Sequence, residues 1–327
     1  MKVLAEGSGP IFMSPDPDQA REFFAAKPRA QVDKRMTVVE AVERFIPDGC
    51  YLASGGFGAN RIATAVLHQI VRRGRKDLAF AGHTTTHDFQ ILCAGKCISR
   101  LDAAYIVGLE ARGLSPNARR TMESGAVEVC EWTNYALAVR MRAAAEGVSF
   151  GICRSMLGTD TFTRSAAKAI QCPFTGKTMA AVPALWPDVA IMHVHEADIY
   201  GNCRIRGISV ADMEMARAAK RLIVTAERLV SNLDIRSDPT RTAIPFYLVD
   251  AVIEVPYGSY PGNMPYEYFS DEIHLVEWMK AEKDPETFAK FLDKYIYGVD
   301  SFEEYLSLCG GLARLKELRN QETLPEI

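Results

Sequence analysis

Along most of the chain, short and mainly apolar runs alternate with longer stretches whose apolar side chains recur every three or four positions. Runs at 51–53, 78–81, 103–107, 127–130, 189–194, 221–225 and 249–255 are too short for buried helices and predict strands. Between them the rhythm changes. Thr37 and Glu40 form a capping-box pattern ahead of Val38, Ala41, Val42 and Phe45, and Ile62, Val66, Leu67 and Ile70 share a helical face. Further helical periodicity covers 89–92, 119–122, 134–145, 211–220, 285–295 and 302–315. Ser115 followed by Pro116 marks one helix start, and Pro17-Asp18 opens a short helix over 19–26. Strands alternating with helices predict an α/β fold, a mostly parallel open sheet with helices on both faces and a helical C-terminal part. Residues 1–33, rich in breakers such as Gly7-Ser8-Gly9-Pro10, read as an N-terminal extension, and 34–327 as one domain.

Composition narrows the function class. The 327 residues are 48% apolar and 24% charged, which is ordinary for a soluble globular chain, and a net charge of -3 argues against nucleic acid or an anionic membrane as partner. No apolar run reaches the ~18 residues of a membrane span. The N-terminus lacks the basic start and apolar core of a secretory signal. Eight scattered cysteines then read as reduced thiols, and the expected compartment is the cytoplasm.

The candidate chemistry sits at strand ends. Ser54-Gly55-Gly56-Phe57-Gly58 follows a strand and precedes a helix, the arrangement that brings backbone N–H groups close to a ligand. It is neither GxGxxG nor GxxxxGK[ST], so nicotinamide and ATP are excluded on spacing. Its alternative is a tight connection with no ligand. Gly82-His83-Thr84-Thr85-Thr86-His87-Asp88 reads as a polar loop entering a helix; His83 and His87 have metal-ligand spacing, but no third ligand is identified, so no metal is expected. His193 and His195 alternate near a strand end; one would face the core and the other could be functional, and a satisfied core histidine is the expected reading for either. Glu110 and Arg112 fall in a loop after a strand, either as a surface ion pair or as the frame of an anion pocket. Asn134 either caps a helix or offers an amide to a substrate carbonyl. No cysteine pair has zinc-ribbon spacing, and no GxSxG elbow is present. A pocket without an attacking group is the outcome.

Taken together these motifs resemble the A-type chain of family I coenzyme A transferases, of the glutaconate CoA-transferase type. The similarity is carried by 53–58, by Gly108-Leu109-Glu110 with 116–120, by Gly158-Thr159-Asp160, and by Cys172-Pro173-Phe174-Thr175-Gly176. It continues through 181–184, 187–190, 197–202, 249–252 and Pro256-Tyr257-Gly258-Ser259-Tyr260-Pro261, and it spans residue 34 to the C-terminus. The resemblance implies a heteromer in which the acyl-CoA thioester is attacked by a glutamate of the partner, the B (β) subunit. This chain then supplies no catalytic nucleophile, and coenzyme A is a substrate rather than a permanently bound cofactor. Ser54, Gly55, Gly56, Phe57, Gly58, His83, Thr84, Glu110, Arg112 and Asn134 are the expected substrate-binding residues, with the Gly55-Gly56 turn a candidate source of oxyanion donors. Arg112 could meet the distal carboxylate of a dicarboxylic substrate, and Glu110 could neutralise it. Hydrolysis or decarboxylation of a CoA thioester on the same scaffold is the alternative, and a sugar-phosphate-binding or structural module a remote one.

Overall fold

The computed structural model describes residues 2–106 and 112–322. Its strands are β1 (Val3–Glu6), β2 (Tyr51–Ser54), β3 (Leu78–Gly82), β4 (Ile98–Ala103), β5 (Glu128–Glu131), β6 (Phe150–Cys153), β7 (Lys168–Gln171), β8 (Thr178–Pro183), β9 (Val189–Ala197), β10 (Cys203–Arg204), β11 (Arg221–Leu229) and β12 (Ala251–Glu254). Among the described residues the main sheet runs β12-β11-β9-β2-β3-β4-β5, all parallel, with β10 added antiparallel to β9. Parallel sheets of this kind are covered on both faces, and the side chains obey that rule. Ile191 and Ile223 enter a core built with the helices Thr64–Arg72 and His87–Ala94 and the C-terminal helices. Their neighbours Met192, Val194, Leu222 and Val224 enter the opposite core, built with the helices Asn134–Glu146 and Asp212–Ala218. The α/β fold, the parallel sheet and the helical C-terminus agree with the hydrophobic pattern.

Three features depart from it. Residue 107 of the strand placed at 103–107 lies outside the described residues, and the strand found there is β4, lying earlier, where Ser99, Arg100 and Asp102 interrupt the apolar run. The charged groups there have tertiary partners: Arg100 donates to the carbonyls of Gly49 and Asp77 at 2.8 and 2.9 Å, and Asp102 is buried against Arg140 and the Trp132 ring N–H. The periodicity at 302–315 is two helices, Phe302–Leu308 and Gly311–Glu322, because Gly310 between them and Gly311 at the start of the second both take positive φ. Finally, a second, antiparallel sheet, β1-β7-β8-β6, covers part of one face. Its strands are too short and too mixed in polarity to announce themselves.

The first 33 residues pack onto the body through contacts that include those of β1 and Lys27. β1 forms the edge of the second sheet, with Val3 opposite Ile170 and Glu6 opposite Lys168. Lys27 is buried, its ammonium donating to Asp250 at 2.7 Å and to the carbonyls of Lys220 and Leu248. No helix among the described residues is long and apolar enough to cross a membrane.

Candidate functional site

Strands β2 to β5 progress in one direction from the centre of the sheet, and β9, β11 and β12 in the other. The reversal falls between β2 and β9, and the crevice outside the carboxyl ends of strands at such a point is where open α/β sheets take ligands. The glycine turn following β2 lies there. Gly56 and Gly58 have φ of 91° and 61°, a backbone region that only glycine enters without strain.

The turn is closed against the chain itself. The N–H of Gly55 donates to Ile191 O at 2.9 Å, that of Phe57 to Asn60 O at 3.1 Å, and that of Gly58 to Thr84 O at 3.0 Å. The Gly56 N–H donates to the Asp212 carboxylate at 2.9 Å. The expected oxyanion role of Gly55 and Gly56 is therefore corrected: their donors are already engaged. A Cβ on Gly56 would stand 2.4 Å from Asn60 O, and one on Gly55 2.7 Å from Met192 Cγ. Glycine is required here by the chain's own backbone and core, before any ligand is considered.

Behind the turn sits an ion pair that the sequence pattern did not reveal. Arg61 and Asp212 pair at 2.8 Å with both side chains fully buried, and Arg61 also donates to Ile208 O at 2.7 Å. Burial works against the charged carboxylate, but the Arg61 guanidinium and the Gly56 N–H outweigh it and hold the Asp212 pKa below the ordinary value. A second brace comes from the segment after β12: Arg61 N donates to Asn263 O and Asn263 N to Ala59 O, both at 2.9 Å.

The next turns lock onto the first. His83 stacks at 5.5 Å from Phe57 in a tilted arrangement, and Thr84 adopts φ 56°. Thr86 Oγ1 donates to Gly58 O at 2.8 Å. Asn134 is not the cap of its helix, because Thr133 accepts the Ala136 N–H in that position. Its amide instead spans two turns, donating to Thr84 Oγ1 at 2.8 Å and accepting the Tyr105 N–H at 3.3 Å. Ser54, Gly55, Gly56, Phe57, Gly58, His83, Thr84 and Asn134 thus belong to one connected wall.

The titratable groups in this wall are quiet. His87 is buried between the hydroxyls of Thr64 and Thr86, each 3.2 Å from a ring nitrogen, and burial pushes its pKa down to about 3. Burial also lowers the pKa of His83. Asp88 accepts the Thr86 N–H at 2.8 Å, yet burial raises its pKa to about 6. No group of three or more His, Cys, Asp or Glu side chains among the described residues could hold a metal ion.

Arg112, in the loop after β4, pairs with the helix Glu272–Ala281. Its side chain is 5% exposed and makes a two-pronged ion pair with Glu272, Nε to Oε2 at 2.8 Å and a terminal nitrogen to Oε1 at 3.2 Å. Glu110 lies outside the described residues. His193 and His195 are both core histidines, as expected for either. Residues two apart on a strand share a face, and both rings are fully buried. His193 bridges Thr225 and Glu227 at 2.8 and 2.7 Å, while His195 contacts Pro265 O at 2.8 Å and accepts the Arg206 N–H at 3.1 Å.

Known proteins resemble this chain over most of its length. Residues 35–255 match the family described as Coenzyme A transferase. The chain is 35% identical over 274 residues to the A chain of the 3-oxoadipate CoA-transferase of Pseudomonas knackmussii, covering 83% of this chain and 96% of that one. It is 30% identical over 296 residues to the corresponding chain of the glutaconate CoA-transferase of Acidaminococcus fermentans, covering 85% and 92%. A crystal structure of that transferase matches with a TM-score of 0.85 at 29% identity, covering 89% of this chain and 96% of the other. The decarboxylase AibA/AibB matches with a TM-score of 0.72, also at 29% identity, covering 81% and 98%. With the family match covering most of the chain and both transferase relatives aligned over nearly their full length, the chain belongs to the coenzyme A transferase family, as a subunit of the A type.

Proposed function

We propose that this chain is the A half of a heteromeric enzyme moving coenzyme A between an acyl-CoA thioester and a carboxylic acid, with the attacking glutamate on the partner B subunit. That glutamate displaces CoA thiolate from the thioester and leaves an acyl-glutamyl anhydride. The thiolate then attacks the glutamyl carbonyl, releasing the first acid and forming a glutamyl-CoA thioester. The acceptor acid runs both steps in reverse. One difficult exchange becomes a series of easier acyl transfers.

The observation that carries this reading is the commitment of the wall's own carboxylates. Asp212 is paired with Arg61, Glu272 with Arg112, and Asp88 with the Thr86 N–H. His87 is buried and held neutral. Such a wall shapes and orients; it leaves the attack to another chain. Ser54, Gly55, Gly56, Phe57, Gly58, His83, Thr84, Arg112 and Asn134 form this chain's share of the substrate pocket, and Glu110 is assigned to it by position in the sequence. Asn134 spends one amide hydrogen on Thr84, and its second is the donor we assign to the thioester oxygen.

The match to the decarboxylase AibA/AibB gives a second reading, a CoA thioester held by the same wall while the partner does different chemistry. Intact-mass measurement of the co-purified complex after incubation with mixed acyl-CoA thioesters separates the two. A CoA-sized covalent adduct on the partner chain is the expected result. Free CoA or a decarboxylated product with no adduct would place the enzyme in the hydrolase or decarboxylase branch.

A further inference from the structure

Glu272 opens the helix Glu272–Ala281 and reaches across to the loop after β4. Its two oxygens meet Arg112 through Nε and one terminal nitrogen, the bidentate fork by which arginine ordinarily grips a substrate carboxylate. We infer that Glu272 is a specificity-determining residue, an internal carboxylate filling the guanidinium that a substrate's second carboxylate would use, so that the acid taken is a monocarboxylate. The inference rests on the transferase reading above.

The surroundings favour this role over a plain tie between segments. The Arg112 side chain is 5% exposed whereas that of Glu272 is 45% exposed, so the cation is fixed in the protein and its anion stands at the water-facing end. Ser270 Oγ donates to Glu272 Oε1 at 2.6 Å and holds that carboxylate in place. The neighbouring Asp271 is taken up elsewhere, by Arg314 and the Tyr260 hydroxyl. Arg112 also lies close enough to His87, in the turn after β3, for its charge to act on that ring. An incoming dicarboxylate must therefore expel Glu272 or set a second negative charge beside it. Both are unfavourable in a partly buried site, and a charge placed against the wrong partner is a common means of selectivity.

The test uses the complete A/B complex with matched acids, valerate and glutarate, as CoA acceptors. The wild-type complex is expected to favour valerate in kcat/KM by about tenfold or more, the scale of one hydrogen bond to a charged group. Glu272→Gln keeps the shape and removes the charge, and should shift the glutarate-to-valerate ratio upward by about tenfold. Glu272→Asp keeps the charge and should retain the valerate preference. A wild-type preference for glutarate, or a Glu272→Gln ratio within about twofold of wild type, overturns the inference. The wild-type comparison decides even where the glutamine variant does not fold. Transfer to neither acid, nor to any other, would instead remove the transferase reading and this inference with it.

Discussion

The Oδ1 atom of Asp212 lies 2.9 Å from the backbone nitrogen of Gly56, across 156 residues of sequence. With its other oxygen on Arg61, this carboxylate joins the helix after β10 to the glycine turn after β2. The two halves of the sheet are thereby fastened at the point where their strand order reverses. Asp212→Ala would leave the fully buried Arg61 guanidinium without its counter-ion, and breaking a buried pair in this way costs about 3–5 kcal/mol. Asp212→Asn, which retains an acceptor for the Gly56 N–H, should lose less. Equilibrium denaturation of the three proteins checks the order.

Gly56→Val is expected to destabilise the chain before any substrate is added. Its Cβ would meet Asn60 O at 2.4 Å in a residue already at φ 91°. Gly74, at φ 61° with open space around it, is the control, and Gly74→Ala should cost about 1–2 kcal/mol from the backbone conformation alone. A Gly56→Val melting temperature equal to that of wild type would show that the turn can relax.

Asn134→Leu removes both the donor to Thr84 Oγ1 and the acceptor of the Tyr105 N–H. A loss of about 1–3 kcal/mol is expected from the stranded groups, together with reduced CoA exchange in the complex. Asn134→Asp keeps the acceptor, and the Thr84 hydroxyl can rotate to donate to it, so it should be the milder change in thermal melts. Equal melting temperatures for the two variants would mean that the retained acceptor carries no weight.

Acid should loosen the fold from about pH 6.5 downward. His87, His195 and His274 have pKa values lowered to about 3, about 4 and about 4, in each case first through burial. Between those values and the ordinary histidine pKa, the unfolded chain binds protons that the folded chain refuses. Stability is therefore full above that window and falls within it by about 1.4 kcal/mol per pH unit for each histidine. Asp88, raised to about 6 by burial, has the opposite sign: the folded state holds its proton longer, so it favours folding as pH drops below about 6. Burial also lowers the pKa of His68 and His83, which adds to the loss, and raises that of Glu282, which opposes it; the histidines outnumber the two carboxyls, and the net is a loss. Melting temperatures recorded from pH 8 to pH 5 should decline, and a flat profile would contradict the buried, neutral assignments.

Much of the fold was legible because burial imposes a rhythm on sequence. β2, β3 and β9 are wholly or nearly wholly buried, so they appear as mainly apolar runs, broken in β9 only from His193 onward. The Thr37–Glu40 capping box and the Ser115 cap are local bonds, readable over three residues. β4 was misplaced because Arg100 and Asp102 satisfy their polar groups through residues distant in sequence. The second sheet was missed because four short strands gain their hydrophobic contacts only from one another and from the core beneath.

At the site the division is similar. By itself the sequence determined the parallel α/β frame, the family and the segments that gather at the strand ends, since these follow from local periodicity and from motifs in fixed order. Tertiary structure alone decided what those segments do to each other. It engaged the glycine N–H groups, gave Asn134 a bridge between loops in place of a helix cap, buried His193 and His195 on one face, and closed Arg112 onto Glu272. The physical reason is the reach of a polar group: hydrogen bonds and ion pairs act over about 3 Å in space, and which groups come that close is set by how distant strands pack, not by their neighbours along the chain.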